Sequence, residues 1–392
     1  ALKFRNWLID RGLTGSSVTR NFSYVKAVIN FAVSELALEV KNPFIGVYHD
    51  RQAGVEVRKP VPVDSIRDVQ AACRALDDDI RHLIALVSDT GMRLGEAAGL
   101  ALTDFSKQKK FFFLAGEPLT DKIVWDNGNR YTFRLRTSTY MQVAMLMPDV
   151  TAMKKKRWAI VYPNYEYGQS AAASFKKLLK AAQPDVEFVA EQAPPLGKVD
   201  AGSVVQALAD AKPDAIFNVL FGADLAKFVR EGNTRGLFKG LEVASLLTGE
   251  PEYLDPLKDE APDGWVVTGY PWYAIKTPEH EAFRSAYEAK FKEYPRLGSV
   301  VGYSSIKSII EGVKKAGSTD TEKMITAFRG LNVVTPFGPI VFRPEDHQST
   351  MGAYVGRTKN EGGKGVMVNS RYMDGAKFLP SADEVKKMRP AD

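Results

Sequence analysis

With 392 residues, 45% of them hydrophobic and 10% aromatic, the chain has enough apolar material for two or three domains with sizeable cores. Its net charge of +6 is unevenly placed, since residues 1–105 carry 13 basic and 13 acidic side chains and the remainder carries the whole excess. So thin a surplus is a solubility feature rather than a nucleic-acid footprint, the single cysteine, Cys73, excludes an internal disulfide, and no apolar run approaches the roughly 18–20 residues of a membrane span.

No basic segment followed by an apolar core opens the chain, so no secretory signal is expected. Residues 1–48 read as helical. Phe4, Trp7, Leu8 and Ile9 form a short amphipathic segment closed by Gly12. Thr14-Gly-Ser-Ser17 offers N-caps to a second helix with Val18, Phe22, Val25, Val28 and Ile29 inward, and Asn42-Pro43-Phe44 breaks the pattern. Residues 49–62, with Pro60 and Pro62, read as a linker before further helical sequence from Val63.

Asp89-Thr-Gly-Met-Arg93-Leu-Gly-Glu96-Ala-Ala-Gly-Leu100 follows. This Thr-Gly-x-Arg-x-x-Glu pattern resembles the surroundings of the first catalytic arginine of the tyrosine recombinases (phage-type integrases). The helices before it resemble that family's core-binding domain, with Arg20 and Lys26 as phosphate contacts. The resemblance implies DNA as a partner of residues 1–105 and maps the family's arginine to Arg93. Read without the family, Arg93 is a helix-start arginine paired with an acid such as Glu96. Strand cleavage also needs a His-x-x-Arg pair and a nucleophilic tyrosine, because negative charge builds on the phosphate. None of the four histidines has an arginine three residues on, so Arg93 stands orphaned and no catalysis is expected. The zero net charge of the segment also argues against strong DNA binding.

From residue 108 the character changes. Phe111–Leu114 and Arg130–Arg136 read as strands and Thr139–Met153 as a helix. Trp158–Tyr162 is a continuous apolar run, as in a strand of a parallel sheet covered on both faces. After a polar, aromatic loop, Ala171, Phe175, Leu178 and Leu179 recur at helical spacing. Strands at Val186–Ala190, Ala215–Phe221, Leu241–Leu246 and Gly264–Tyr270 alternate with helices, the pattern of a doubly wound α/β sheet. In such sheets ligands sit beyond the carboxyl ends of the strands. Helices at Pro278–Glu293 and Ser299–Ala316 follow, then a capping box at Thr319-x-x-Glu322, and residues 333–378 read as two hairpins. No metal, cofactor or nucleotide motif is present, and His280 reads as a helix-surface residue.

Tyr131-Thr-Phe-Arg-Leu-Arg136, Tyr165-Glu-Tyr-Gly168, Gly232-Asn-Thr-Arg-Gly236 and Thr335-Pro-Phe-Gly-Pro339 occur in an order and spacing that resembles the type I periplasmic binding proteins. The closest group is the leucine/isoleucine/valine-type substrate-binding subunits of ABC importers. The resemblance implies two lobes closing on a small-molecule ligand about a hinge, a membrane permease as partner, and a periplasmic location; a true recombinase-like start would instead imply the cytoplasm. Members begin with about a hundred residues that supply central strands of lobe 1, and the recombinase-like helices stand in their place. The expected fold is therefore α/β, with one lobe incomplete and a small all-α module in front, as in a gene fusion or chimera.

The expected divisions are 1–62 and 63–105 for the recombinase-like parts, 106–136 with 266–332 for lobe 1, and 137–265 with 333–392 for lobe 2. Crossings are expected near Leu135–Ser138, Val267–Tyr270 and Val334–Gly338. By the resemblance the ligand contacts are Ala115, Gly116, Glu117, Tyr167, Phe221 and Leu247. Main-chain groups at 115–117 would bind a carboxylate, while Tyr167 and Phe221 would pack on the apolar part; ordinary core or hinge packing is their alternative role. Amino-acid binders of this family place an acid where Leu247 stands. Unless Glu250 substitutes, its absence favours an organic acid or amide over an α-amino acid. The missing strands should leave apolar faces of helices 278–293 and 299–316 uncovered.

Overall fold

The structure, a computed structural model, describes residues 1–35, 42–50 and 110–390, and the chain divides into two compact units at residues 1–99 and 100–392. Arg93 and the motif around it lie outside the described residues, as does Cys73. In the first unit, α1 (Leu2–Asp10) and α2 (Gly15–Glu35) enclose a small core of Leu8, Val18, Phe22 and Phe44. The Thr14 hydroxyl accepts from Ser17 N at 3.4 Å, the cap read from the sequence. Trp7 and Ile9, by contrast, are about half exposed, because a helix this short buries one narrow stripe and Leu8 fills it.

The second unit is built on a seven-stranded sheet of order β11-β10-β7-β6-β5-β3-β4. Strands β3 (Arg157–Val161), β4 (Glu187–Gln192), β5 (Ala215–Asn218), β6 (Glu242–Gly249) and β7 (Val266–Gly269) run parallel. The hairpin β10 (Ala353–Glu361) and β11 (Lys364–Met373) adds on antiparallel. Side chains alternate across the strands, so the apolar runs feed two cores at once. Trp158, Ile160, Phe217 and Leu246 face α3 (Thr139–Ala152) and α4 (Glu166–Ala182). Ala159, Val161, Ile216 and Val243 face α5 (Ala201–Asp210) and α6 (Gly222–Thr234). On α4 the residues Tyr167, Ala171, Phe175 and Leu179 make the inward stripe, and the Phe175 ring stacks on Phe217 at 3.9 Å. Each fully buried aromatic of this kind contributes roughly 1.5–3 kcal/mol.

A second group of elements surrounds α8 (Pro278–Phe291), α9 (Leu297–Ala316) and α10 (Thr321–Phe328). It contains the parallel pair β1 (Phe113–Ala115) and β2 (Thr132–Arg134) and the hairpin β8 (Asn332–Thr335) and β9 (Gly338–Val341). The lobe limits expected at 266 and 333 fall inside elements: Val266 opens β7 of the large sheet, and Val333 lies in β8, which packs on α8 and α9. The α10 cap also differs, since the Asp320 carboxylate, not Thr319, accepts the N-terminal N–H of Lys323. His280 is a larger correction. It is buried on the inward face of α8 one turn from Phe283, with Nε2 2.7 Å from the Tyr270 hydroxyl, and burial pulls its pKa down to about 4.

Tyr303, Ile306 and Ile310 form one stripe of α9 and remain 47–60% exposed, whereas α8, also expected to be uncovered, buries His280 and Phe283. The helical group is therefore expected to open locally at lower cost than the sheet. Limited proteolysis should cut it first and leave the sheet with α3–α6 protected. Equal protection of both would contradict this.

Candidate functional site

The two groups meet at the carboxyl ends of the parallel strands. After β6 the short helix α7 (Pro251–Leu254) begins, preceded by Glu250, and Arg136 stands two residues beyond the end of β2. Arg136 Nη1 donates to Glu117 Oε2 at 2.5 Å, and its Nη2 donates to Glu250 Oε1. The two carboxylates differ sharply in surroundings: the Glu117 side chain is 54% exposed, that of Glu250 only 5%. Burial opposes the charge of Arg136, but Glu250 and then Glu117 outweigh it and hold the guanidinium protonated. Burial pushes the Glu250 carboxyl up to about 8 against the pull of Arg136, with Glu252 and Glu117 adding to the rise. Three acids, Glu117, Glu250 and Glu252, share this corner with one arginine.

Beside this pair lies an aromatic cluster. Tyr167 meets Phe221 edge-on at 5.8 Å, Phe221 meets Tyr253 at 6.2 Å, and Tyr165 stands 6.0 Å from Tyr167. Tyr167 is the second residue of α4 and Phe221 the N-cap of α6, so the two strand–loop–helix turns present their rings to the same space. Tyr167 is 5% exposed, more buried than a residue lining an open cleft. Its hydroxyl is buried and finds no hydrogen-bond partner among the described residues. Burial raises its pKa well above that of a free tyrosine, so the group is a neutral donor.

The other expected contacts are placed as follows. Ala115 ends β1, buried, with its carbonyl accepting from Leu135 N. Gly116 lies hard against α9, since a Cβ there would stand 2.8 Å from the Ser305 hydroxyl. Leu247 packs in the same apolar core as Tyr167 and sits at φ +63°, the left-handed region a leucine rarely adopts. The strand's register breaks here, between Ser245 and Gly249, and the Thr268 hydroxyl accepts Leu247 N at 2.9 Å. Gly249 and Gly269 allow the turn, because a Cβ on Gly269 would meet the Gly249 backbone at 2.2 Å.

Arg136, Tyr165 and Tyr253 were not among the contacts expected from the sequence, and Glu250 entered only as a substitute for an acid at Leu247. A cavity of about 20 Å³ adjoins Arg136 and Glu250, closed from the other side by Leu297, Val301 and Phe337. Contacts across the junction hold it shut. Glu252 accepts Gly298 N at 2.9 Å, the Tyr294 hydroxyl donates to Asp255 at 2.7 Å, and Tyr294 stacks on Trp272 at 4.5 Å. Among the described residues no cluster of three metal-ligating side chains occurs, and no helix is long and apolar enough to cross a membrane.

A doubly wound sheet thus faces a second group of elements across a polar and aromatic junction. Residues 90–364 match the periplasmic binding protein family, and the chain belongs to that family, whose members bind substrates without transforming them. The match begins within the stretch that carries Arg93. A leucine-, isoleucine-, valine-, threonine- and alanine-binding protein of Pseudomonas aeruginosa is 24% identical over 192 residues, which are 48% of this chain and 49% of that protein. The chain thus spans about half the length of the relative it matches.

Among solved structures, an ABC-type branched-chain amino acid transporter protein of Rhodopseudomonas palustris is 26% identical, with a TM-score of 0.57 over 72% of this chain and 76% of the other. A solute-binding protein of the same species, solved with 3,4-dihydroxybenzoic acid, is similar in fold alone. It is 20% identical, with a TM-score of 0.62 over 93% of this chain and 96% of the other.

Proposed function

We propose that this chain is the solute-binding component of an ABC-type importer, working in the periplasm and handing a small organic acid, amide or amino acid to a membrane permease. The solute would sit between the two groups of elements, against Ala115, Gly116, Glu117, Tyr167, Phe221 and Leu247. The observation that carries this reading is the buried, unpartnered Tyr167 hydroxyl inside an aromatic cluster beside a buried ion pair. A polar group buried without a partner costs roughly 1–3 kcal/mol, which a bound solute that accepts from it would recover. The names of related proteins, one for leucine, isoleucine, valine, threonine and alanine and one solved with an aromatic acid, support the same range of solutes.

Thermal melting against a panel of aliphatic and aromatic acids, their amides and amino acids tests this. A true solute at a hundredfold excess over its Kd adds about 2.7 kcal/mol, a rise in Tm of roughly 5–10 °C for a unit of this size. A flat response to every member at millimolar concentration would remove the proposal.

A further inference from the structure

We propose that Arg136 reads the carboxylate of the solute and that Glu117 is the occupant this carboxylate displaces. This deepens the solute-binding reading and rests on it. Arg136 lies in the junction two residues after β2, with its two terminal nitrogens aimed at two different acids. A guanidinium has five N–H donors in a rigid fork shaped to hold a carboxylate through two parallel bonds. Here the fork is split between one acid from each side of the junction, a poorer use of it than a single bidentate partner.

The two acids are not equivalent. Glu250 is buried with no solvent to move into, so it stays hydrogen-bonded to Arg136 in either protonation state and is the fixed partner. Glu117 is more than half exposed, on the loop after β1, and solvent stands ready to take it. An incoming carboxylate therefore exchanges with Glu117 rather than with Glu250. The Coulomb balance at the arginine is the same before and after, while the solute brings an apolar body that Glu117 lacks.

That body has a place to go. The Phe221 ring meets both Tyr167 and Tyr253 edge-on, and both tyrosines lie within electrostatic reach of Arg136 and Glu250. An acid with an aromatic or branched apolar part would set its carboxylate on the guanidinium and its apolar body against these rings. The matching amide carries no charge to compete for the arginine. An α-amino acid could instead place its ammonium on Glu117, which makes the sign of a Glu117 variant decisive.

The experiment is a titration of the full chain with benzoate and with benzamide, in the wild type and in Glu117→Gln and Arg136→Lys. Glu117→Gln removes the competitor, so the preference for benzoate over benzamide should rise about two- to fivefold. Arg136→Lys keeps a cation beside Glu250 but loses the fork, so benzoate should weaken by at least about tenfold more than benzamide does. A Glu117→Gln chain whose preference for benzoate over benzamide is unchanged or lower overturns the inference. So does an Arg136→Lys chain in which acid and amide weaken together, because that marks a structural role. Binding of benzamide without binding of benzoate also overturns it, while leaving the solute-binding reading intact; binding of neither by any panel member removes both.

Discussion

Replacing Arg136 with methionine is expected to cost about 3–5 kcal/mol and to lower Tm by on the order of 10 °C. The loss comes from Glu250, whose side chain is 5% exposed and would keep its burial while losing its cation. It should depend on pH in a definite direction. A carboxyl whose pKa rises from 4.5 in the unfolded chain to about 8 when folded takes up a proton on folding, so its contribution to stability grows as pH falls from about 8 towards about 4.5. Without Arg136 the carboxyl is driven further towards its neutral form. The penalty of Arg136→Met should therefore be largest near pH 9 and shrink near pH 5. Adding Glu250→Leu should restore most of the stability, because an apolar pair of similar volume replaces a buried ion pair at little net cost. Chemical denaturation of the two single variants and the double variant at both pH values measures this cycle. A single-variant loss below about 1 kcal/mol at pH 9 would show that water screens the pair.

The second large effect concerns Tyr167. Truncating a buried aromatic to alanine costs about 3–5 kcal/mol, so Tyr167→Ala should destabilise the sheet lobe as well as abolish solute-induced stabilisation. Tyr167→Phe separates the two roles. It keeps the ring against Phe221 and removes a hydroxyl that has no partner among the described residues, so the free chain should melt higher, by roughly 1 kcal/mol or more. The same variant should bind solute about fivefold more weakly, since the hydroxyl's new partner is lost. A Tyr167→Phe chain that is less stable when free would mean the hydroxyl is already satisfied. One that binds solute undiminished would remove Tyr167 from the site.

The strand–loop–helix unit around Arg157–Ala182 was legible because its signals are local: an apolar run, a break, then a 3.6-residue stripe ending on Leu179. The hairpins at 332–341 and 353–373 were legible for the same reason, each as two extended runs joined by a tight turn. What was not legible depends on partners distant in sequence. Arg136 and Glu250 are 114 positions apart, and each alone reads as an ordinary solvated charge. His280 was misplaced because a histidine one turn from a phenylalanine fits either face of a helix until its neighbours are known. The left-handed turn at Leu247 has no local signal at all, since glycine or asparagine would be the residue expected there. It is imposed by the close approach of β6 and β7 at Gly249 and Gly269.

The central claim is that a small acid is held between the two groups of elements, by Arg136 on one side and the aromatic cluster on the other. Calorimetric titration of the full chain with benzoate at several temperatures addresses it most directly. The account predicts saturable one-to-one binding with a negative heat-capacity change, as apolar surface leaves water, and a clear loss of affinity in Arg136→Lys. Absence of any binding heat at millimolar benzoate, or binding that Arg136→Lys leaves unchanged, would contradict it.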